Sequence, residues 1–339
     1  MAIAFPAVIA EIGSNHGNSL QSVKKLIDGA KEAGCAYVKF QLFFPDEFIP
    51  SHVKAQDYGL DSIYGDVAWQ KVLNDELIFP HHFYPEVKKI CADTGIGFGV
   101  TVHGERSLDI ARSLNVDFIK IASMDLNYYQ LLNRLRSLSC PILLSTGMAE
   151  LSEIEKAVQV LGMKEKDVLM HCTSEYPAVE THILRLNAFK HFGSYSLGYS
   201  DHTEDSVAAI GAVGLGAKWF EKHITLDKSL KGPDHGFAAN LAEMKQYVSD
   251  LHKAFRLFEL DQNAGISPKQ LKNRTSYRRS IVAARDLLPG MTVTKADIDF
   301  KRPGNGFDPS QEELVVGSEV KLLISKDQIF TKENLAISQ

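Results

Sequence analysis

Apolar and polar positions along this chain repeat one unit: a short apolar run, a polar tip, then a longer stretch with apolar residues every third or fourth position. The short runs predict strands and the longer stretches predict amphipathic helices. Strands are expected at 7–12, 36–41, 96–102, 117–122, 141–145, 167–171, 194–198 and 217–224. Helices are expected at 20–33, 80–94, 104–114, 128–137, 151–161, 182–191, 204–214 and 241–257. Eight strand-then-helix units in about 260 residues predict an α/β fold, a (β/α)8 TIM barrel. A doubly wound sheet shares this alternation, but no GxGxxG follows the first strand. Polar residues also mark nearly every strand end. A barrel accounts for that spread, because its site is assembled from all the C-terminal strand tips.

Two stretches break the rhythm. Residues 43–79 are rich in aromatics and acids and are expected to form a lid or substrate wall, with a plain insertion as the alternative. Residues 261–278 are polar, with Gly265, Pro268 and several Lys and Arg, and read as a linker. From 279 to 339, β-like runs RSIVAA and EVKLLI alternate with turn signals at Pro289–Gly290, Pro303–Gly304 and Asn305–Gly306. A unit of about 60 residues is marginal alone, so it is expected to pack on a barrel, its own or a partner's. The expected plan is a barrel over 1–260, a linker over 261–278 and a small domain over 279–339.

Composition narrows the class. Apolar residues make up 45% and charged residues 23%, with a net charge of −5 and no basic block. Nothing points to nucleic acid or a membrane surface. Cys35, Cys91, Cys140 and Cys172 are scattered without a CxxC pair, which predicts reduced thiols in a cytoplasmic protein. The opening MAIAFPAVIAEIG lacks the basic and apolar regions of a signal peptide. No apolar run approaches the roughly 20 residues of a membrane span.

Candidate chemistry gathers in 194–236, which holds GYSDHT (198–203), FEKHITLD (220–227) and KGPDHG (231–236). A β-α-β crossover makes the last two strands parallel neighbours, roughly 4.8 Å apart. Their tips then carry His202 and His223 side by side, each beside an acid, Asp201 or Glu221. Two imidazoles with carboxylates and water suit a divalent transition metal such as manganese. Lys39 and Gln41 share a face by the period of two. Lys39 and Lys120, near strand ends, are costly inside a barrel unless paired. His171 and Cys172 do not make a nucleophile pair, because adjacent strand residues point to opposite faces. KRPGNG lacks the spacing of a phosphate-binding P-loop.

In chain order the sequence contains AEIGSNHGN, VKFQ, FIKIAS, STGM, HCTSEYP, GYSDHT, EKH and GPDH. Together these resemble the sialic acid (N-acetylneuraminate) synthase family. The stretch RRSIVAARDLLPGMTVTKADIDFKRPGNG resembles that family's antifreeze-like (SAF) C-terminal domain. The resemblance covers nearly the whole chain.

By that resemblance, the reaction is an aldol-like condensation of phosphoenolpyruvate with an open-chain N-acyl hexosamine such as N-acetylmannosamine. Carbon 3 of phosphoenolpyruvate attacks the sugar aldehyde, water attacks carbon 2, and phosphate leaves a nine-carbon 2-keto acid. A divalent metal on His202 and His223 would polarise the aldehyde: manganese, with magnesium or cobalt as alternatives. Phosphoenolpyruvate is a trianion, so its pocket needs cations and donors, supplied by Lys39 and Lys120 with Thr101, Ser123 and Ser200. Ser174 is a further phosphate contact. Glu11, Gln41, Asp125, Tyr176 and Asp234 handle the sugar or the attacking water. Glu11 is the proton-transfer group, or else a salt-bridge partner to a lysine. Glu221 would orient His223. Arg302 matches an arginine that reaches into the neighbouring subunit's barrel, which implies a domain-swapped homodimer. On its own it is a charged turn residue.

Two positions depart from the family pattern. Asp125 stands where a Glu is expected, and Ser174 where an Asn is expected. Asp is one methylene shorter, and Ser lacks the two amide donors. The acceptor therefore stays open, with a diacetamido dideoxy hexose leading to legionaminic or pseudaminic acid as the competitor. Two other readings are a phosphoenolpyruvate aldol synthase for other sugar phosphates and a catalytically silent sugar-binding barrel. The GPDH stretch and the tail argue against the first. Lys39, Lys120, His202 and His223 argue against the second.

Overall fold

The computed structural model describes residues 6–258 and 265–336. The chain divides between residues 259 and 260 into two compact units. In the first, the strands are β1 Ala7–Glu11, β2 Tyr37–Leu42, β3 Gly97–Val102, β4 Phe118–Ile121, β5 Ile142–Ser145, β6 Val168–Cys172, β7 Ser196–Asp201 and β8 Ala217–His223. The helices between and after them are α1 Leu20–Ala33, α2 Tyr84–Thr94, α3 Glu105–Leu114, α4 Tyr129–Leu135, α5 Leu151–Leu161, α6 Leu186–Phe189, α7 Val207–Gly214 and α8 Leu241–Phe258. The strands pair in chain order, and β8 closes onto β1 from Ala7 opposite Trp219 to Glu11 opposite His223. The unit is a (β/α)8 TIM barrel.

Strand alternation explains both layers of its core. Val8, Ala10, Val38 and Phe40 pack outward among the helices. Ala7, Ile9, Phe118, Leu143, Val168, Met170 and Trp219 form a separate inner cluster. Gly99 is required there, since a Cβ would lie 2.1 Å from the Phe118 ring. Two residues further along the same inward faces, the side chains turn polar: Glu11 follows Ile9, Lys120 follows Phe118, and Glu221 and His223 follow Trp219. All four of these polar side chains are buried. The inner barrel is thus apolar below and charged above, with the charge at the C-terminal ends.

Strand β7 runs to Asp201 instead of stopping at 198, because Ser200 and Asp201 continue the ladder opposite Glu221 and Lys222. Helix α7 starts at Val207 instead of 204. Asp201 Oδ1 accepts from Thr203 N at 2.9 Å and Asp205 Oδ1 from Val207 N at 2.9 Å, holding the intervening residues in turns. Segment 43–79 folds into short helical turns around its own apolar cluster of Phe43, Ile49, Ala55, Trp69, Val72, Leu73 and Leu77.

The second unit contains helix α9 Pro268–Tyr277 and strands β9 Ser280–Ala283, β10 Ile298–Lys301, β11 Glu319–Val320 and β12 Leu335–Ala336. Antiparallel pairs β9–β10 and β11–β12 enclose a small core that includes Ile281, Val293, Phe307, Val320 and Phe330. The expected linker over 261–278 is helical in part. Residues 261–264 lie outside the described residues, but from 268 the chain is helical. Ser267 caps α9 by accepting from Gln270 N at 3.2 Å, and Pro268 sits in its first turn. Of EVKLLI, only Glu319–Val320 enters a ladder, while Ile324 bridges Leu287. Among the described residues, no helix is long and apolar enough to cross a membrane.

Candidate active site at the C-terminal strand tips

A buried charge array crosses the barrel. Register places Glu11 on β1 opposite Lys39 on β2, and Lys39 Nζ lies 2.9 Å from Glu11 Oε2. Lys39 also donates to Thr101 Oγ1 at 2.6 Å. Gln41, two residues on and facing the same way, donates to Glu11 Oε1 at 2.9 Å. Across the barrel, Lys120 donates to both carboxylate oxygens of Glu221 at 2.8 Å. Ser200 donates to Glu221 Oε1 at 2.9 Å, and Lys39 lies 3.5 Å from Glu221 Oε2. Two carboxylates and two ammoniums therefore sum to zero charge in a buried array.

Pairing and burial pull these groups in different directions. Burial opposes charge on Glu221, but Lys120 and Lys39 outweigh it and hold the carboxyl well below its usual range. For Glu11 burial wins over Lys39, Glu221 adds to it, and the carboxyl is pushed up. Burial pulls Lys120 down despite Glu221. Glu11 is thus a salt-bridge partner of Lys39 whose carboxyl burial biases upward.

His202 and His223 face each other with ring centroids 5.5 Å apart. His202 Nδ1 bonds the Thr173 carbonyl at 2.8 Å, so Nδ1 carries the proton and Nε2 offers its lone pair. Cys172 Sγ lies 3.9 Å from the same Nδ1. His223 Nδ1 is buried without a hydrogen bond, 3.5 Å from Asp234 Oδ2. Ser14 donates to that Asp234 oxygen at 3.1 Å. Burial pushes Asp234 up and His223 down. Tyr176 covers His202 at 4.3 Å between centroids, and Phe237 lies 5.0 Å from His223. Two inward imidazoles, one with an orphaned nitrogen, fit a divalent metal completed by water or substrate. Among the described residues, no three His, Cys, Asp or Glu side chains converge into a full ligand set.

A third group lies over β4 and β5. Ser123 Oγ accepts from Gly147 N at 2.9 Å. A Cβ at Gly147 would meet Ser174 Oγ at 2.2 Å and Ser123 Oγ at 2.8 Å, so both hydroxyls crowd this turn. Asp125 is held by His103, Nδ1 to Oδ2 at 2.6 Å. Arg302 belongs to the second unit and is exposed.

Residues 26–261 match the NeuB family model, and residues 278–336 match the SAF domain. The chain belongs to the NeuB family. It is 33% identical to the N,N'-diacetyllegionaminic acid synthase of Legionella pneumophila, over 94% of this chain and 91% of that protein. It is also 33% identical to the N-acetylneuraminate-9-phosphate synthase of Drosophila melanogaster, over 95% and 93%. Among solved structures, the spore coat polysaccharide biosynthesis protein SpsE of Bacillus subtilis is 28% identical, with a TM-score of 0.64 over 98% of this chain and 96% of that one. The chain is thus an enzyme of a family of nonulosonic acid synthases, built as a TIM barrel followed by a SAF domain.

Within this NeuB-family barrel, two expectations change and a third, that Cys172 and His171 do not pair, holds. Glu221 does not hydrogen-bond His223; it bridges the two lysines. Asp201 points away from the histidines and lies 3.4 Å from Lys222 Nζ. Cys172 does approach a histidine, but it is His202 on the next strand and not His171, whose Nε2 bonds the Thr181 carbonyl. His103, Ser14 and Phe237 were given no role from the sequence. His103 sits at the inward tip of β3 beside Thr101, which is the signal that would have found it. Segment 43–79 is tethered to the loops after β1 and β8 and to the first turn of α3. Asn18 donates to Glu76 O at 3.3 Å, Arg106 pairs with Asp46 at 2.6 Å, and Lys231 pairs with Glu76 at 2.9 Å.

Proposed function

We propose that this NeuB-family enzyme condenses phosphoenolpyruvate with an N-acyl hexosamine, N-acetylmannosamine or a close relative, to give a nine-carbon 2-keto acid and phosphate. The observation that carries this reading is the Glu11–Lys39–Glu221–Lys120 array beside His202 and His223. Lys39 and Lys120 offer two fixed cations to a trianion, and the hydroxyls of Thr101, Ser123, Ser174 and Ser200 supply donors. Their present counter-ion, Glu221, has a depressed pKa and keeps both lysines in place between turnovers. Glu11, pushed up by burial, exchanges a proton with the water that attacks carbon 2. Gln41 fixes its orientation.

His202 Nε2 and His223 would hold a divalent metal, manganese in our reading, with magnesium or cobalt as substitutes. When bound, such an ion supplies Lewis-acid polarisation of the sugar aldehyde. Tyr176 and Phe237 wall the same place. Arg302 is assigned to the barrel of a partner subunit in a domain-swapped homodimer. Exposed Met124, Met148, Val179 and Leu184 on the connections after β4 to β6, with Val207 at the start of α7, support a protein contact at that rim. Activity in the cytoplasm fits the four free thiols.

A second acceptor reading, a diacetamido dideoxy hexose leading to legionaminic acid, is favoured by one feature. The short Asp125 carboxylate is drawn toward β3 by His103, which alters what it offers a sugar. The test is phosphate release from phosphoenolpyruvate with manganese. The acceptors are N-acetylmannosamine, its 6-phosphate and the two diacetamido dideoxy hexoses that precede legionaminic and pseudaminic acids. Release with one of these confirms the reaction and names the acceptor. Release with none of them supports a silent barrel.

A further inference from the structure

Behind the two histidines lies a second buried ion pair that the proposed chemistry does not use. Lys222 and Asp201 are opposite each other on β8 and β7, with Nζ 3.4 Å from Asp201 Oδ2 and both side chains buried. By strand alternation they project outward, into the helix layer, where Lys222 Nζ lies 5.2 Å over the Tyr247 ring of α8. Lys222 also donates to the Thr203 carbonyl. Asp201 Oδ1 accepts from Thr203 N at 2.9 Å and Thr203 Oγ1 at 2.7 Å. His202 is therefore bracketed: the residue before it and the residue after it are tied to one another and to Lys222. Lys222 in turn immediately precedes His223.

A buried ion pair adds little net stability over an apolar replacement, so its presence calls for a role in specifying geometry. This pair joins the two strand tips at the residues next to the two imidazoles. We propose that Lys222 and Asp201 are positioning residues, a clamp outside the barrel wall that sets the spacing of His202 and His223 and thereby their affinity for a divalent metal. The inference rests on the metal reading given above. Neither residue touches substrate or metal; each acts through the backbone of the adjacent histidine. Lys39 and Lys120 sit on β2 and β4, away from the clamp; of the groups assigned to phosphoenolpyruvate only Ser200 and the lysines' counter-ion Glu221 adjoin it, and both are held inside the β7–β8 ladder, so phosphoenolpyruvate binding should respond far less than metal binding.

That difference supplies the test. Lys222→Met removes the charge while keeping most of the volume, and Asp201→Asn keeps the shape. Manganese affinity of the full chain is read from the free-ion paramagnetic resonance signal. Phosphoenolpyruvate affinity is read by calorimetry in the presence of a chelator. Both variants should bind manganese about tenfold or more weakly, the range seen when supporting groups around metal ligands are lost, with a clearly smaller change in phosphoenolpyruvate affinity. Should Lys222→Met fail to fold, Asp201→Asn decides the matter. Wild-type manganese affinity in the folded variants overturns the clamp. So does a parallel loss of both affinities, which would make the pair a plain stabiliser of the fold. A wild-type protein that binds no manganese overturns the clamp together with the metal assignment. A wild-type protein that binds manganese but turns over no acceptor sinks the proposed reaction and leaves the clamp measurement valid.

Discussion

Glu221→Gln tests the electrostatic core of the site. The substitution keeps the shape and leaves an amide oxygen for Lys120 and Ser200, but the four-group array goes from zero to one positive charge. Glu221 lies 2.8 Å from Lys120 and 3.5 Å from Lys39. At an effective dielectric of about 20 those separations correspond to about 6 and about 5 kcal/mol of gross attraction. Desolvating the carboxylate costs several kcal/mol, so the net loss on removing one member of a buried pair is about 3–5 kcal/mol. For a barrel of this size that lowers Tm by roughly 10 °C.

Phosphoenolpyruvate should then behave differently in the two proteins. In the wild type the trianion meets a neutral array and must compete with Glu221 for the lysines. In the variant it meets an uncompensated cation. At about a hundred times its Kd a ligand stabilises the fold by about 2.7 kcal/mol, and a tenfold tighter Kd adds about 1.4 kcal/mol. Thermal melts across a phosphoenolpyruvate titration, with chelator present, read both effects. The variant should melt lower alone and gain more from the ligand. Equal melting without ligand, or a larger ligand shift in the wild type, would falsify the assignment of Glu221 as the lysines' counter-ion.

Four further outcomes are expected. His202→Ala and His223→Ala should each weaken manganese binding and nearly abolish phosphate release with circular dichroism unchanged; wild-type turnover in either rules out the metal pair. Gly147→Ala places a Cβ 2.2 Å from Ser174 Oγ and 2.8 Å from Ser123 Oγ, so KM for phosphoenolpyruvate should rise about tenfold, a loss near that of one charge-assisted hydrogen bond, and an unchanged KM would remove both serines from the phosphate pocket. His16 is held by burial at about 4, against 6.5 for a free imidazole, so between those values the unfolded chain binds more protons and stability falls as pH falls, by up to about 3 kcal/mol; urea melts of His16→Gln should show a correspondingly shallower acid slope, and an equal slope means His16 is protonated in the fold. Mixing Arg302→Ala with Lys120→Ala chains should restore activity in heterodimers if Arg302 serves a partner's barrel, and verified heterodimers without rescue exclude that reach.

Most of the barrel was legible because its signals are local. Apolar runs of strand length, glycine stops such as Gly34 in its left-handed conformation at φ 93°, and polar tips each need only neighbouring residues. What escaped was long-range or depended on where a polar run stops being loop and joins a ladder. The Lys120–Glu221 contact spans 101 residues, and no periodicity says which tip faces which across a closed barrel. Strand β7 ran past its expected end because Ser200 and Asp201 look like a loop in sequence but pair with β8. Helix α9 was hidden in a polar stretch whose residues are all exposed or half-buried, so it lacks the apolar stripe that marks the other helices.

The two acids beside the histidines show where the sequence already held the answer. Asp201 and Glu221 look equivalent when each is described as an acid near a histidine. Their spacings differ: Asp201 is one residue before His202, whereas Glu221 is two before His223. With a period of two, only Glu221 can share its histidine's face. Parity therefore sends Glu221 inward to the lysines and Asp201 outward to Lys222, which is where the structure places them. The same parity puts Lys222 on the outer face and Cys172, next to His171, on the inner one, within 3.9 Å of His202. A strand tip in such a barrel is thus read by counting residues from the inward-facing histidine, odd offsets to the scaffold and even offsets to the site.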